Sequence, residues 1–321
     1  MARLIILFVA YLALTACSSG TPPDEQWEMA VQGVYSAALS EDANHAVIGS
    51  IHHGGSYWQV QPKERLYDWN HMADEKTGIV ASAISDDGKY AVTCEHRKLV
   101  LWSTQTGEAF WLWEAPANIQ AIDLDDQGSY ALLGLDSYEA VLFDIRNGGV
   151  KRRLAHEGIV KAVDMTPDQK WAITGGDDST VKVWDLQNGK LLNQWLLDNQ
   201  IKTVAISHDG RYGFAASHRG ITRIWDLQTG KTLADLPTIS GHYRVARFNP
   251  NGQNLLTGTS AGQVQLWSVP KGDALARWAM PPRNAWVTKN TQVLDVAYQG
   301  NAIRAVGANG IVYHYKLSSA R

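Results

Sequence analysis

A frame of about 41 residues recurs along the chain, and this repeat limits its possible folds more than any other feature. Aromatic residues mark the same position in successive copies, namely Trp58, Trp102, Phe143, Trp184, Trp225, Trp267 and Tyr315. Their separations are 44, 41, 41, 41, 42 and 48 residues. A period of this length indicates a repeat architecture, in which each copy buries its apolar surface against its neighbours.

The copy between His156 and Trp195 predicts four short antiparallel strands, at residues 159–165, 171–174, 180–186 and 191–195. Turn-forming residues separate the strands: Thr-Pro-Asp after the first, Gly-Gly-Asp-Asp after the second and Asn-Gly after the third. Four antiparallel strands cannot bury both of their faces alone, so the unit requires copies of itself on either side.

The Trp-Asp dipeptides that end the third strand, Trp184-Asp185 and Trp225-Asp226 with the variant Phe143-Asp144, add to the period. Together they resemble the WD40 family of β-propellers over nearly all of the mature chain. The resemblance implies an all-β, seven-bladed WD40-type β-propeller. It also implies a structural network of His156, Thr174, Asp178 and Trp184. Elsewhere the Asp of this network is replaced by Arg219, Ala261 or Asn309.

The two ends of the chain are complementary. Three strands are predicted at 293–298, 302–307 and 311–317, whereas residues 26–27 match only an outer strand. An N-terminal outer strand added to the C-terminal blade would close the ring and leave no unpaired inner edge. We therefore expect residues 26–317 to form a single seven-bladed domain.

The N-terminus predicts an export signal. Arg3 precedes an apolar stretch at 4–14, which is too short to span a bilayer. Residues 14–17 (Leu-Thr-Ala-Cys) resemble the lipobox of bacterial lipoproteins, which implies removal of residues 1–16 and acylation of Cys17. An ordinary secretory signal is the alternative. Ser18 then implies outer-membrane sorting in a Gram-negative bacterium. Residues 17–25 are predicted to be a short polar tether that holds the propeller at the periplasmic face.

Composition excludes some functions. The net charge of −3, without a basic run, gives no indication of nucleic-acid binding. No phosphate-binding loop, metalloprotease motif or nucleophile elbow occurs, so we predict no enzyme, no catalytic residue and no cofactor. Histidines of the second hairpin turns lack metal-ligand spacing, so no metal site is predicted. With Cys17 acylated, Cys94 has no partner for a disulfide, and we expect a buried thiol in a monomer.

The remaining prediction is a docking scaffold for an unidentified envelope protein. Propellers carry their inter-blade loops and their second-to-third-strand turns on one side, here called the loop face. Binding residues proposed there are His96, Tyr138, Arg219 and Tyr243, with Arg283 and Trp286 from the long loop at 279–291. Two alternatives remain. One is an eight-bladed quinoprotein-like propeller of the outer-membrane assembly lipoprotein type, which the Gly-Lys pairs at 189–190 and 230–231 resemble. The other is a cell-wall or polysaccharide-binding propeller.

Overall fold

Seven four-stranded antiparallel sheets make up the fold. The computed structural model describes residues 20–31, 33–50, 52–71, 78–237, 239, 241–283 and 291–319. Within these ranges the regular structure consists of 28 strands and one 3₁₀ turn at Leu317–Ser319. No helix among the described residues is long and apolar enough to cross a membrane. The predicted all-β, seven-bladed propeller is therefore confirmed.

Each blade has four strands, which follow one another from the centre of the ring to its rim. The innermost strands are β2 (Val34–Leu39), β6 (Ala81–Ile84), β10 (Ile119–Leu124), β14 (Val160–Met165), β18 (Ile201–Ile206), β22 (Tyr243–Phe248) and β26 (Val293–Gln299). The second strands are β3 (His45–Ser50), β7 (Tyr90–Glu95), β11 (Tyr130–Leu135), β15 (Trp171–Gly176), β19 (Tyr212–Ser217), β23 (Asn254–Thr259) and β27 (Ala302–Gly307). These strands define blades 1 to 7 in chain order.

The outer half of each blade is built in the same way. The third strands are β4 (Gly54–Gln59), β8 (Lys98–Ser103), β12 (Glu139–Asp144), β16 (Thr180–Asp185), β20 (Thr222–Asp226), β24 (Gln263–Ser268) and β28 (Ile311–Lys316). The rim strands are β5 (Glu64–Trp69), β9 (Ala109–Glu114), β13 (Val150–Ala155), β17 (Lys190–Leu196), β21 (Lys231–Leu236), β25 (Ala274–Ala279) and β1 (Glu25–Glu28). Consecutive innermost strands contact each other around the whole ring, including β2 with β26.

The N-terminal strand closes the ring as the sequence predicts. β1 pairs antiparallel with β28, with Glu25 opposite His314 and Glu28 opposite Ile311. The buried Arg304 of blade 7 reinforces this junction, because its guanidinium donates to Ala43 O (2.7 Å) and Gln61 Oε1 (2.9 Å) in blade 1. Both chain ends therefore contribute to one blade, so that all seven sheets have four strands.

The segment before β1 is attached to the rim and is not a free tether over its whole length. Thr21 forms a parallel bridge with Trp278, in which Thr21 N donates to Arg277 O and Ala279 N donates to Thr21 O, both at 3.0 Å. A side chain at Gly20 would lie 2.6 Å from the carbonyl carbon of Trp278, so this approach needs glycine. Part of the tether predicted at 17–25 therefore lies along the edge of β25, whose open hydrogen-bonding groups pair with Thr21.

A recurring contact between blades explains the repeated aromatic residues. An apolar side chain at or next to the end of a rim strand packs on the marker residue in the third strand of the next blade. Trp69 stacks on Trp102 with ring centroids 5.3 Å apart, and Trp195 stacks on Trp225 at 4.8 Å. Between blades 3 and 4, Leu154 takes the place of the rim-strand tryptophan and lies in the same core cluster as Trp184. Most tryptophans in this contact are buried, so each interface between blades is an apolar core of its own.

Candidate functional site

A hydrogen-bonded network in blade 4 lies at the loop face and holds the loop that enters this blade. His156 Nδ1 lies 2.8 Å from Asp178 Oδ2, and His156 Nε2 lies 2.7 Å from Thr174 Oγ1. Trp184 Nε1 donates to the same Thr174 oxygen at 2.8 Å. These four residues therefore form the network that the sequence resemblance implies. The network joins the inter-blade loop to the second and third strands.

The partners in this network leave one consistent arrangement of protons. Thr174 accepts from Trp184, so its hydroxyl is free to donate to His156 Nε2. His156 Nδ1 then carries the proton and donates to the Asp178 carboxylate. Burial lowers the pKa of His156, which keeps the ring neutral as this arrangement requires. The carboxylate also accepts from Glu157 N (2.9 Å), so every polar group is satisfied.

Blade 2 contains a second, partial network that sequence reasoning missed. His71 Nε2 lies 2.9 Å from Thr93 Oγ1, to which Trp102 Nε1 donates at 2.8 Å. Glu95 lies 3.9 Å from His71 Nδ1, in place of the Asp of blade 4. Burial lowers the pKa of His71 to about 4. A signal was present in the sequence, because His71 follows the rim-strand residue Trp69 by two positions, as His156 follows Leu154.

The remaining blades keep only parts of the network. In blade 6, Trp267 Nε1 donates to Thr257 Oγ1 at 2.9 Å, but His242 makes no ring hydrogen bond to a described residue. In blade 7, Tyr315 takes the marker position and its hydroxyl donates to Ala279 O at 3.2 Å. These blades rely on packing between neighbours, as the degraded sequence pattern predicts.

Three of the residues proposed for partner binding are exposed on the loop face. His96, Tyr138 and Arg219 lie in second-to-third-strand turns with positive φ values of 50°, 66° and 58°. Tyr138 is 54% exposed, and the other two side chains are also exposed. A positive φ is uncommon for such residues, and the turn holds each side chain in a fixed direction. Their role in binding stays a prediction.

The other proposed residues differ in position from what the sequence suggested. Tyr243 is only 2% exposed, because it begins β22 and packs edge-on against Phe214, so its placement on the surface is corrected. Arg283 makes an ion pair with Glu28 and donates to Val31 O, which joins the long inter-blade loop to the closing strand. Trp286 and Cys17 lie outside the described residues.

The innermost strands enclose a central channel with a cavity of about 300 Å³. Five carboxylates line it toward the first hairpin turns, a side here called the turn face: Glu41, Asp86, Asp123, Asp164 and Asp295. Arg247 compensates part of this charge, and His208 lies near two of the carboxylates. Arg247 lies 3.1 Å from Asp295 and 3.6 Å from Glu41, while His208 lies 3.8 Å from Glu41 and 3.9 Å from Asp86.

Asp123 and Asp164 form a carboxyl pair inside this channel. Asp123 accepts from Met165 N (2.9 Å) and Asp164 accepts from Ile206 N (2.7 Å), so each carboxyl bridges to the next blade. Burial and neighbouring carboxylates raise the pKa of Asp123 to about 7 and that of Asp164 well above its usual value. After burial, the neighbouring Asp123 carboxyl is the largest cause of the raised pKa of Asp164. The pair therefore releases its protons at a higher pH than isolated carboxyl groups would.

Two segments of the chain match the model of a known repeat family. Residues 149–185 and 234–268 match the model of the WD40 family, described as WD domain, G-beta repeat. The protein contains WD40 repeats. A search of curated proteins finds no matching chain. Each matched WD40 repeat begins at or within a rim strand, β13 or β21, and ends with the third strand of the next blade. This stagger of repeat against blade is why β1 completes blade 7.

The geometry of the WD40 propeller limits the chemistry available to it. No group of three or more His, Cys, Asp or Glu among the described residues is placed to hold a metal ion. Cys94 is fully buried, as the sequence predicts, and burial raises the pKa of its thiol, so it is a poor nucleophile. What the described part of the chain offers is a rigid ring, a charged channel and exposed turns on the loop face.

Proposed function

We propose that this WD40 propeller is a non-enzymatic docking scaffold for proteins of a bacterial cell envelope. The observation that carries the proposal is the closed, seven-bladed ring, which presents fixed, exposed side chains such as His96, Tyr138 and Arg219 on one face. WD40 propellers are typically interaction scaffolds without enzymatic activity. Aromatic and arginine side chains are the types that most often anchor a protein interface.

The envelope location is a second part of the proposal and is supported by the sequence. The lipobox-like residues 14–17 favour acylation of Cys17, and Ser18 favours the outer membrane, with the propeller on its periplasmic face. Fractionation of cells tests this part. Cys17→Ser is expected to release the protein from membranes or leave it uncleaved, and Ser18→Asp to move it to the inner membrane. Outer-membrane recovery of both variants at the wild-type level would exclude this location.

The docking part is tested by purification of the protein with its partners from solubilised envelope. The variant Trp286→Ala with Arg219→Ala removes two side chains proposed for the loop face. Lys170→Ala is the matched control, because Lys170 lies in a first hairpin turn on the turn face. We expect the double variant to lose partners while its melting temperature and the control remain unchanged. Equal recovery from all three proteins would show that this site is not the docking site.

The alternatives differ in their support. The quinoprotein-like alternative implies eight blades, whereas the ring has seven. A polysaccharide-binding function is favoured by one observation: Phe110 and Trp111 on rim strand β9 are each 47% exposed. Exposed aromatic groups at a rim commonly mark a binding surface. Co-sedimentation with insoluble cell wall tests it, and Trp111→Ala is expected to abolish that binding if the rim is used.

A further inference from the structure

A β-bulge recurs near the start of the innermost strands and places a ring of side chains at the loop-face end of the channel. In six of the seven, pairing with the second strand shifts by one residue near the start, which inserts a β-bulge. The inserted residues are Tyr35, Gln120, Lys161, Lys202, Arg244 and Leu294. In blade 2, Val80 holds the equivalent position just before β6, where its N–H donates to Cys94 O at 2.9 Å. We call these seven residues the bulge ring.

The chemistry of the bulge ring is divided into two continuous arcs. Blades 4, 5 and 6 contribute the basic arc of Lys161, Lys202 and Arg244, all of which line the channel cavity. Blades 7, 1 and 2 contribute the apolar arc of Leu294, Tyr35 and Val80. Gln120 of blade 3 separates the arcs on one side. A bulge redirects its side chain and often occurs beside a binding site.

Two of the three cationic groups of the basic arc have no carboxylate partner among the described residues. Lys202 lies 3.4 Å from Asp177, whereas Lys161 donates to the uncharged Gln120 Oε1 at 2.8 Å. Arg244 makes no hydrogen bond or ion pair with any residue that the structure describes. Burial, with Arg244 as the next largest cause, lowers the pKa of the neighbouring His242 to about 4. The cationic groups therefore act on a confined region where an anionic group would be stabilised.

The apolar arc exposes two of its three side chains, whereas Leu294 is half-buried against a core cluster. Tyr35 is 58% exposed and Val80 is 42% exposed, and Val31, just before β2, is 66% exposed. Exposed apolar groups bordered by polar residues can mark a site for another molecule. They are placed beside cationic groups on the same mouth, so one ligand can contact both arcs.

We propose that the bulge ring binds an acidic peptide segment of a partner protein that also carries aromatic or aliphatic side chains. Its carboxylates contact Lys161, Lys202 and Arg244, and its apolar side chains contact Tyr35, Val80 and Leu294. A uniformly anionic polymer such as polyphosphate fits less well, because it has no apolar group for half of the ring. This inference rests on the proposed docking function and specifies the chemistry of the partner.

Binding of a defined probe tests the inference by fluorescence anisotropy. The probe is a labelled peptide in which Glu alternates with Phe and Leu, and its comparison is an all-Glu peptide of equal length. The basic-arc variant is Lys202→Gln with Arg244→Gln, and the apolar-arc variant is Tyr35→Ser with Val80→Ser. The matched control is Lys151→Gln with Lys271→Gln, which removes two charges away from the channel. We expect each arc variant to weaken binding of the mixed peptide by about tenfold or more, and the control to leave it unchanged.

Each outcome separates the possibilities. Equal affinity for the all-Glu peptide or for polyphosphate, with no effect of the apolar-arc variant, would assign the site to a polyanion and overturn the inference. A mixed peptide that does not bind, while envelope partners are recovered equally by wild type and both arc variants, would overturn it but retain the docking function. Recovery of no partner by the wild type would instead remove the docking function. Melting temperatures show that each variant is folded.

Discussion

Replacement of His156 by alanine tests whether the buried network stabilises the ring. The change removes a hydrogen bond to the Asp178 carboxylate (2.8 Å) and one to Thr174 (2.7 Å). A hydrogen bond to a charged group contributes about 1.5–3 kcal/mol and a neutral one about 0.5–1.5 kcal/mol. The hydrogen bonds that Asp178 and Thr174 keep with their other partners reduce the loss of stability. Asp178 still accepts from Glu157 N and Thr180 N, and Thr174 still accepts from Trp184. We therefore expect a loss of about 3 kcal/mol in the free energy of unfolding.

His242 provides the matched control in the same ring. It occupies an inter-blade loop, but its imidazole makes no hydrogen bond to a described residue and packs near the His218 ring, with the ring centroids 5.0 Å apart. Ser260 Oγ accepts from the backbone N–H of His242 at 3.1 Å, and alanine retains that bond. His242→Ala should therefore cost less than about 1 kcal/mol.

The assay is urea denaturation at pH 7.5, followed by tryptophan fluorescence and by circular dichroism. Agreement of the two transitions is required, because a chain of this size can unfold through intermediates. A difference of about 2 kcal/mol between the two variants is expected. Equal losses of unfolding free energy for His156→Ala and His242→Ala would show that the network does not stabilise the ring.

Three further predictions concern closure, packing and pH. Deletion of residues 18–29 removes β1 and should cost about 3 kcal/mol or more, because the strand pairing with β28 is lost together with the packing of the half-buried Trp27 and the buried Met29. A control that lacks only residues 18–20 should melt at a higher temperature, and equal melting temperatures would contradict the closure. Trp69→Ala should cost about 3–5 kcal/mol, since Trp69 is fully buried, while Trp111→Ala on the exposed rim should cost less than about 1 kcal/mol in the same denaturation assay. The raised pKa of Asp164 means that the folded state binds a proton more tightly than the unfolded state. The contribution of Asp164 to stability is therefore greatest below about pH 4 and declines as the pH rises toward the folded pKa. The decline is at most about 1.4 kcal/mol per pH unit. Asp164→Asn should flatten that decline in pH-dependent denaturation, and an unchanged slope would show that Asp164 does not hold the proton.

The ring can be predicted from the sequence because the same contacts between blades require the same residue types in every repeat. Trp184 and its equivalents recur since every one packs on the rim residue of the preceding blade, so their period counts the blades. The closure was predictable for the same reason: the frame leaves one outer strand over at the start and lacks one at the end. The second strand of blade 4 extends two residues past its predicted end, to Gly176, because strand pairing continues there opposite Val160.

The site was less predictable because its members come from different blades. Glu41, Asp86, Asp123, Asp164 and Asp295 are separated by about one repeat or more, and only ring geometry brings them to one channel. Tyr243 was placed on the surface because it follows a loop, but it is the first residue of β22 and its ring is buried. The division of the bulge ring into two arcs could have been read from the aligned repeats, once the channel position within each repeat was known.

The pairing of Thr21 with the rim of blade 6 has a consequence for orientation. If Cys17 is acylated as proposed, four residue steps separate the lipid from a fixed point on β25, a reach of at most about 14 Å. The ring would then stand on its edge at the bilayer, with blades 6 and 7 nearest the lipid. Its axis would lie parallel to the membrane plane, so that the loop face and the turn face would both be open to partners that diffuse through the periplasm.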